Sequence, residues 1–165
     1  MTAAPSRPRR RADAWLLGLL GLLALVVHGP LVGNDWVFDD VPAVVENPVV
    51  ATGSVGEIFA KDFWGGRRDY GHVTTYRPVT TATFRLERLL FGVNPGAAHG
   101  INVLLHALAV VLAAALVRVW GGSRLFAIVV GAWFAVHPIH VEAIAGVVNR
   151  AELLAFVFSV ATLLA

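Results

Sequence analysis

Two adjacent carboxylates, Asp39 and Asp40, are the residues of this sequence whose type and position best suit chemistry. They closely follow an apolar segment, 14–32, whose length is near the roughly 20 residues that a helix needs to cross a membrane. Adjacent carboxylates repel each other, and such a pair suits either a proton acceptor or a shared cation. The alternative interpretation is a solvated acidic pair in a loop, because acids mark functional sites in only some proteins.

Other ionisable side chains are expected beside the acidic pair, at the outer face of a membrane. Guanidinium groups bind phosphate oxygens in pairs and imidazoles donate to them, so these residues suit a lipid substrate that carries a phosphate. The set consists of Arg77, His137 and His140, assigned to the phosphate, and of Glu46, Glu142 and Arg150 in support.

A divalent metal is an alternative ligand for some of these residues. His137 and His140 would share a helix face and could bind a metal together with Glu142, as could the pair Asp39 and Asp40. Zinc sites usually have three or four protein ligands and a proline separates the two histidines, so phosphate contact or helix packing is favoured. No cofactor is therefore assigned. The isolated histidines are interpreted as packing or interface residues: His28, His72, His99 and His106.

The composition predicts a membrane protein. Apolar residues make up 57% of the 165 residues and charged residues 15%, against about 45–50% and about 25% in ordinary soluble domains. The mean hydropathy is +0.70. The absence of cysteine excludes disulfides and thiolate metal sites. Because the basic residues are scattered or gathered at the amino end, no nucleic-acid partner is predicted.

The amino end predicts a retained membrane span. Segment 14–32 is longer than the apolar core of a secretory signal peptide and lacks a clear cleavage site before Asn34. The tail 1–13 carries Arg7, Arg9, Arg10 and Arg11. Basic flanks stay in the cytoplasm, so we predict that this tail lies inside and that Asp39 lies outside.

Three further apolar segments predict a polytopic, all-α protein. Segment 93–117 reads as a second span, and Arg118 and Arg124 after it favour a cytoplasmic loop. A third span, 125–136, is short, and Pro138 should break the helix near the outer surface, within an outer segment 137–151. The last stretch, 152–165, is predicted as the start of a fourth span that is cut short, as in a piece of a longer protein.

The outer segment 33–92 predicts two amphipathic helices. Ser54 and Glu57 fit a capping box at the start of a short helix. A second helix should begin near Pro78. Their mixed apolar and charged residues suit the surface of the bilayer, although helices that only cover the spans would look similar. The first helix is predicted to carry Ile58, Phe59, Phe63 and Trp64, and the second Phe84, Leu86, Leu89, Leu90 and Phe91.

Five ordered motifs resemble the amino-terminal region of the transmembrane and tetratricopeptide-repeat O-mannosyltransferases and their bacterial relatives. They are FDDVPAVVENP at 38–48, DFWG at 62–65, YRPVTT at 76–81 with FRL at 84–86, NVLLHA at 102–107 and FAVHPIHVEA at 134–143. The resemblance implies the fold of the polytopic C-type glycosyltransferases, here truncated. Family members continue through more spans and usually into helical repeats, and no repeat is visible here.

The resemblance also implies a function. Members of this superfamily use polyprenyl-phosphate-linked sugars as donors, so the implied reaction moves a sugar, mannose in the named family, to a hydroxyl on a protein or glycan. The implied catalytic carboxylate in the first outer loop is Asp39. The implied location is a bacterial inner membrane, with the first large loop periplasmic or extracellular.

A single displacement at the anomeric carbon is the expected mechanism. Asp39 would take the proton of the acceptor hydroxyl, and Asp40 would position it or hold a cation. Two other classes remain open. A transporter should carry ionisable residues at the middle of its spans, which are uncharged here. A non-catalytic membrane anchor or assembly subunit would tolerate loss of the acidic pair.

Overall fold

The computed structural model describes residues 7–66 and 75–165, so His72 and the first part of the basic tail lie outside the described residues. Within these ranges the chain is helical and has no strand, which confirms the all-α prediction. The helices are α1 (Arg7–His28), α2 (Pro48–Thr52), α3 (Val55–Ala60), α4 (Pro78–Phe91), α5 (Pro95–Val119), α6 (Arg124–Val136), α7 (Val141–Ala145) and α8 (Arg150–Leu164).

Among the described residues, three stretches are long and apolar enough to cross a membrane: Asp13–Gly33, Pro95–Val119 and Val147–Leu164. A fourth crossing is obtained if α6 and the following segment Pro138–Ala145 count as one span, bent by 49°. The bend lies where proline was expected to interrupt the helix, because proline lacks an amide donor and clashes with the preceding turn. The chain is an integral membrane protein.

Helix α5 is the centre of the bundle and packs against α1, α6 and α8. Small residues let these helices approach closely, as is common inside membranes. At Gly131, an added Cβ would lie 2.6 Å from Leu20 Cδ1 and 3.2 Å from Ala114 Cβ. The core between α1, α5 and α6 consists of Leu20, Ala24, Ala107, Val110, Ala114 and Ala135.

At one end of the bundle, a carboxylate forms ion pairs with two guanidinium groups. Asp13 Oδ2 lies 3.2 Å from Arg118 Nη2, and Asp13 Oδ1 lies 2.9 Å from Arg124 Nε. The start of α1 and the turn between α5 and α6 therefore lie at the same end of the bundle. This agrees with the sequence argument, which assigned both to one side of the membrane.

At the other end of the bundle, the segment between α1 and α5 folds into a second core. Buried Phe63 and Phe84 pack there with Val44, Val50 and Val147. Ser54 and Glu57 form the predicted capping box, and α4 begins at Pro78 as expected. The described residues of this segment therefore pack as a layer against the ends of α5 and α8.

One prediction for this segment is wrong. Phe63 and Trp64 do not belong to α3, which ends at Ala60. Asp62 Oδ1 accepts hydrogen bonds from the backbone amides of Trp64 at 3.1 Å and Gly66 at 2.8 Å, and this side chain stabilises a turn instead. Phe63 is consequently buried in the core and not on a helix face.

Asn47 fixes this layer through four backbone contacts. Its Oδ1 accepts from the amides of Val49 at 2.9 Å and Val50 at 3.4 Å, and its Nδ2 donates to the carbonyls of Ala43 at 3.1 Å and Phe63 at 2.9 Å. The side chain is fully buried. It is therefore both the N-cap of α2 and a link between separate parts of the layer.

Asn47→Ala is expected to destabilise the protein by about 1–3 kcal/mol, because the substitution leaves buried backbone groups without partners. The measurement is thermal unfolding of the detergent-solubilised protein. Ser54→Ala is the matched control, since it removes an exposed N-cap and should lower the melting temperature less. Equal losses in the two variants would contradict the linking role of Asn47.

Candidate active site

A cavity of about 570 Å³ lies at the end of the bundle that carries the packed layer. Its wall combines the stretch after α1, the first turns of α5 and the stretch from α7 to α8. The described residues of the wall include no Lys or Arg. Its ionisable and amide side chains are Asn34, Asp35, Asp39, Asp40, His99, Glu142 and Asn149.

The two adjacent carboxylates have opposite environments. Asp40 is fully buried, and its Oδ1 accepts a hydrogen bond from the Val148 amide at 2.8 Å while its Oδ2 accepts from the Val37 amide at 3.3 Å. Asp39 is exposed in the cavity wall. Within the described ranges, the Asp39 carboxylate has no hydrogen-bond or ion-pair partner. Asp39 is thus available to a ligand, whereas Asp40 is occupied by the protein.

The backbone between the two acids and α1 is strained. Asp40 closes a tight turn on Val37, because its amide donates to the Val37 carbonyl at 3.0 Å while its carboxylate accepts from the Val37 amide. Phe38, inside this turn, has φ of +45° and a side chain that is 95% exposed. Such a conformation costs about 1–3 kcal/mol in a residue other than glycine, and strain of this kind clusters at functional sites. The turn holds Asp39 at the cavity.

Arg150, predicted among the outer polar residues, is fully buried at the start of α8. Its Nη1 forms an ion pair with Glu87 Oε2 at 2.7 Å, and its Nε donates to Asn102 Oδ1 at 2.8 Å. Its Nη2 donates to the Ala98 carbonyl at 3.0 Å, and the guanidinium lies 4.6 Å from the centre of the Phe84 ring. Arg150 therefore joins α4, α5 and α8 behind the cavity.

Asn102 connects this ion pair to the cavity wall. While its Oδ1 accepts from Arg150, its Nδ2 donates to the carbonyls of Ile144 at 3.3 Å and Gly146 at 3.1 Å. The amide that binds Asp40 belongs to Val148, just beyond Gly146. Burial raises the pKa of Glu87 above its ordinary value, and the charge of Arg150 opposes this rise. Arg150 is therefore part of the packing behind the cavity and does not line it.

The remaining predicted site residues do not all meet at the cavity. Glu142 is exposed in its wall. Arg77 does not line it, and its guanidinium lies 5.4 Å from the centre of the Phe63 ring. Glu46 is exposed at the end of the π-helical turn Val41–Val45.

His137 and His140 belong to a separate aromatic cluster. The centre of the His140 ring lies 4.2 Å from that of Phe134 and 5.5 Å from that of His106, and His137 lies 4.9 Å from Trp133. The His137 Nδ1 accepts from the Ile139 amide at 3.2 Å and caps the short turn that follows. Neither histidine lines the cavity.

His137, His140 and Glu142 do not form a three-ligand metal site in the described residues. In the described part of the chain, no group of three or more His, Asp or Glu side chains is arranged to hold a metal ion. The two histidines and Glu142 are therefore not brought together, because Glu142 lies at the cavity and the histidines lie in the aromatic cluster.

His99 lies in the cavity wall, a position that was not predicted from the sequence. His99, Asn102 and His106 recur at the spacing of one helix face, and all three are buried in α5, whose other residues before Arg118 are apolar. Polar residues inside membrane helices usually face the protein interior. This polar stripe was the pattern that could have identified His99, which had instead been treated as isolated.

Known proteins with similar sequences are O-mannosyltransferases by name. The chain is 42% identical to mouse protein O-mannosyl-transferase TMTC1 over 92% of its own length and 17% of that relative. It is 35% identical to protein O-mannosyl-transferase F38B6.6 of Caenorhabditis elegans, over 98% of the chain and 24% of the relative. Mouse TMTC3, also named a protein O-mannosyl-transferase, is 39% identical over 78% of the chain and 14% of the relative.

No protein-family model matches the chain, and no solved structure matches it. The chain spans less than a quarter of the length of these three relatives. The similarity nevertheless covers the acidic turn, the packed layer and α5 together, and it confirms the resemblance that the five motifs indicated. The chain is a TMTC-like sequence, homologous over most of its length to one part of the protein O-mannosyl-transferases.

Proposed function

We propose that this chain supplies the catalytic carboxylate of a membrane glycosyltransferase. The reaction moves a sugar, mannose, from a polyprenyl-phosphate donor to a hydroxyl group of a protein. The names of the relatives support transfer of mannose to protein. The single observation that carries the proposal is the contrast between the two acids, since Asp39 is exposed in the cavity and Asp40 is buried and bound.

The proposed chemistry is one displacement at the anomeric carbon. The acceptor oxygen forms a bond to this carbon while the bond from the carbon to the phosphate oxygen breaks, and its electron pair leaves with the phosphate. Asp39 takes the proton of the acceptor hydroxyl as general base. Asp40 does not touch the substrate in this scheme and instead positions Asp39 through its hydrogen bonds to Val37 and Val148.

The character of the cavity favours hydroxyl groups over phosphate. Carboxylates and a histidine line it without any Lys or Arg among the described wall residues, and carboxylates accept hydrogen bonds from hydroxyls but repel phosphate. We therefore assign the cavity to the acceptor and the transferred sugar. The phosphate of the donor is assigned to a region outside this wall, and the roles predicted for Arg77, His137 and His140 remain predictions for that region.

The proposed location is a bacterial inner membrane, with 1–13 in the cytoplasm and 33–92 outside. The pairing of Asp13 with Arg118 and Arg124 supports this sidedness, because it puts the end of the tail and the turn between α5 and α6 at the same end of the bundle. The test uses the absence of cysteine from the chain. A cysteine at exposed Thr52 should react with an impermeant maleimide in intact spheroplasts, and one at exposed Ser123 should react only after permeabilisation. The reverse pattern would overturn the sidedness and the site assignment together.

The proposed reaction is tested with membranes that contain the full-length protein. These are incubated with a peptide rich in serine and threonine and with radiolabelled mannose, supplied either as polyprenyl-phosphate mannose or as a nucleotide sugar. We expect the peptide to become radiolabelled when mannose is supplied on the lipid-linked donor. This labelling should persist after nucleotide sugars have been removed from the membranes. Equal labelling by membranes without the protein would instead favour a non-catalytic assembly subunit.

A further inference from the structure

His99 has a structural position that its isolated place in the sequence did not indicate. It lies in the first turns of α5, is fully buried, and forms part of the cavity wall together with Asp39 and Asp40. No other histidine among the described residues lines this wall. Any ligand that fills the cavity next to Asp39 therefore approaches His99.

The hydrogen bond of His99 to a backbone carbonyl indicates which ring nitrogen carries the proton. Its Nε2 lies 3.3 Å from the backbone carbonyl oxygen of Asp35. A carbonyl oxygen can only accept, so Nε2 carries the proton, and in the neutral ring Nδ1 then carries a lone pair. This Nδ1 is buried and has no hydrogen-bond partner among the described residues. Buried polar atoms without partners are rare in folded proteins and call for an explanation.

We propose that His99 binds the acceptor substrate, with Nδ1 accepting a hydrogen bond from a second hydroxyl group of the ligand, and not from the hydroxyl whose proton Asp39 takes. This inference rests on the proposed function and adds a second contact to the same site. A lone pair requires a hydrogen-bond donor, which a hydroxyl supplies and an ionised phosphate does not. Asp39 and His99 then each accept from a different hydroxyl of the ligand, and the two contacts orient the ligand for attack.

A pair of substitutions separates the two ring nitrogens. In His99→Gln the side-chain amide can reach the Asp35 carbonyl in place of Nε2, but no acceptor remains near Nδ1. In His99→Asn the amide oxygen replaces Nδ1 as acceptor, and the bond to Asp35 is lost. His106→Gln is the matched control, because His106 is a buried histidine of the same helix that does not line the cavity. Its Nε2 also has no hydrogen-bond partner among the described residues.

Two readouts are made on the full-length protein with the same serine- and threonine-rich peptide. One is the rise in melting temperature that the peptide causes, and the other is the KM for the peptide with the lipid-linked donor at saturation. Loss of one neutral hydrogen bond should raise KM about 3- to 10-fold in His99→Gln and reduce the peptide-induced rise, with kcat little changed. His99→Asn and His106→Gln should keep KM near that of the unmodified protein even where they lower the melting temperature.

The outcomes separate the inference from the proposed function. If His99→Gln responds to the peptide as the unmodified protein does, or if His99→Asn loses as much affinity as His99→Gln, His99 is structural only and the inference is overturned. A protein that binds the peptide through His99 but transfers no mannose would overturn the proposed function alone. A peptide that causes no rise in melting temperature in any variant would overturn the acceptor site itself.

Discussion

Asp39→Asn in the full-length protein is expected to lower kcat by about 10²- to 10⁴-fold, the usual cost of losing a general base. The amide keeps the shape of the side chain but cannot take a proton. Because Asp39 is exposed and its carboxylate has no partner within the described residues, the melting temperature should not change. The measurement is the initial rate of mannose transfer at saturating donor and acceptor, together with thermal unfolding of the same preparations.

Asp40→Asn is the matched comparison, and it is expected to lower the stability of the protein, which Asp39→Asn should not do. Both oxygens of Asp40 accept from backbone amides, so the NH₂ group of asparagine would face the amide of Val37 or Val148. A buried donor without an acceptor costs about 1–3 kcal/mol, and the melting temperature should fall. If Asp39→Asn were fully active, or if only Asp40→Asn lost activity without losing stability, the assignment of the base would be wrong.

Arg150→Met is expected to cause the largest loss of stability. Breaking a buried ion pair by removing one partner costs about 3–5 kcal/mol, because the other charge stays buried without compensation. The partner here is Glu87. Replacing both residues, as in Glu87→Leu with Arg150→Met, should restore part of the loss, since no unpaired charge then remains. Chemical or thermal unfolding in detergent measures both variants, and a double variant no more stable than Arg150→Met would contradict the account.

The pH dependence of the Arg150→Met variant provides a second check. Burial raises the pKa of Glu87 above its ordinary value of 4.5, and removal of Arg150 removes the main opposing influence. A carboxyl group with a raised pKa in the folded state destabilises the fold as the pH rises above its ordinary pKa. The variant should therefore lose less stability at about pH 5 than at about pH 8. A loss independent of pH would exclude Glu87 as its cause.

Features that depend on local sequence were predictable. Long uncharged stretches predicted the apolar helices, because crossing a bilayer requires length and apolar character and little else. The capping box of Ser54 and Glu57 and the start of α4 at Pro78 are set by neighbouring residues, and the structure has them as predicted. The prediction that the first helix extends through Phe63 was wrong, because the side chain of Asp62 accepts from backbone amides and forms a turn there. The pattern of apolar residues does not reveal this competition.

The different burial of Asp39 and Asp40 could not be predicted from sequence. Adjacent residues look alike in a sequence, and they differ here because Val148, from a distant part of the chain, donates to Asp40 and not to Asp39. Arg150 was grouped with surface residues for a similar reason, since Glu87 and Asn102, which compensate its burial, lie far from it in the chain. Long-range pairing decides which polar residues are structural and which can face a ligand.

The anomeric configuration of the transferred sugar shows whether Asp39 acts as the base of a single displacement. A single displacement with Asp39 as base attacks the anomeric carbon from the side opposite the phosphate, so the product should have the configuration opposite to that of the donor. Nuclear magnetic resonance of the glycosylated peptide, made with a donor of known configuration, measures this. We expect inversion. Retention would overturn the assignment of Asp39 as base of a single displacement, because retention requires a second displacement and an internal nucleophile.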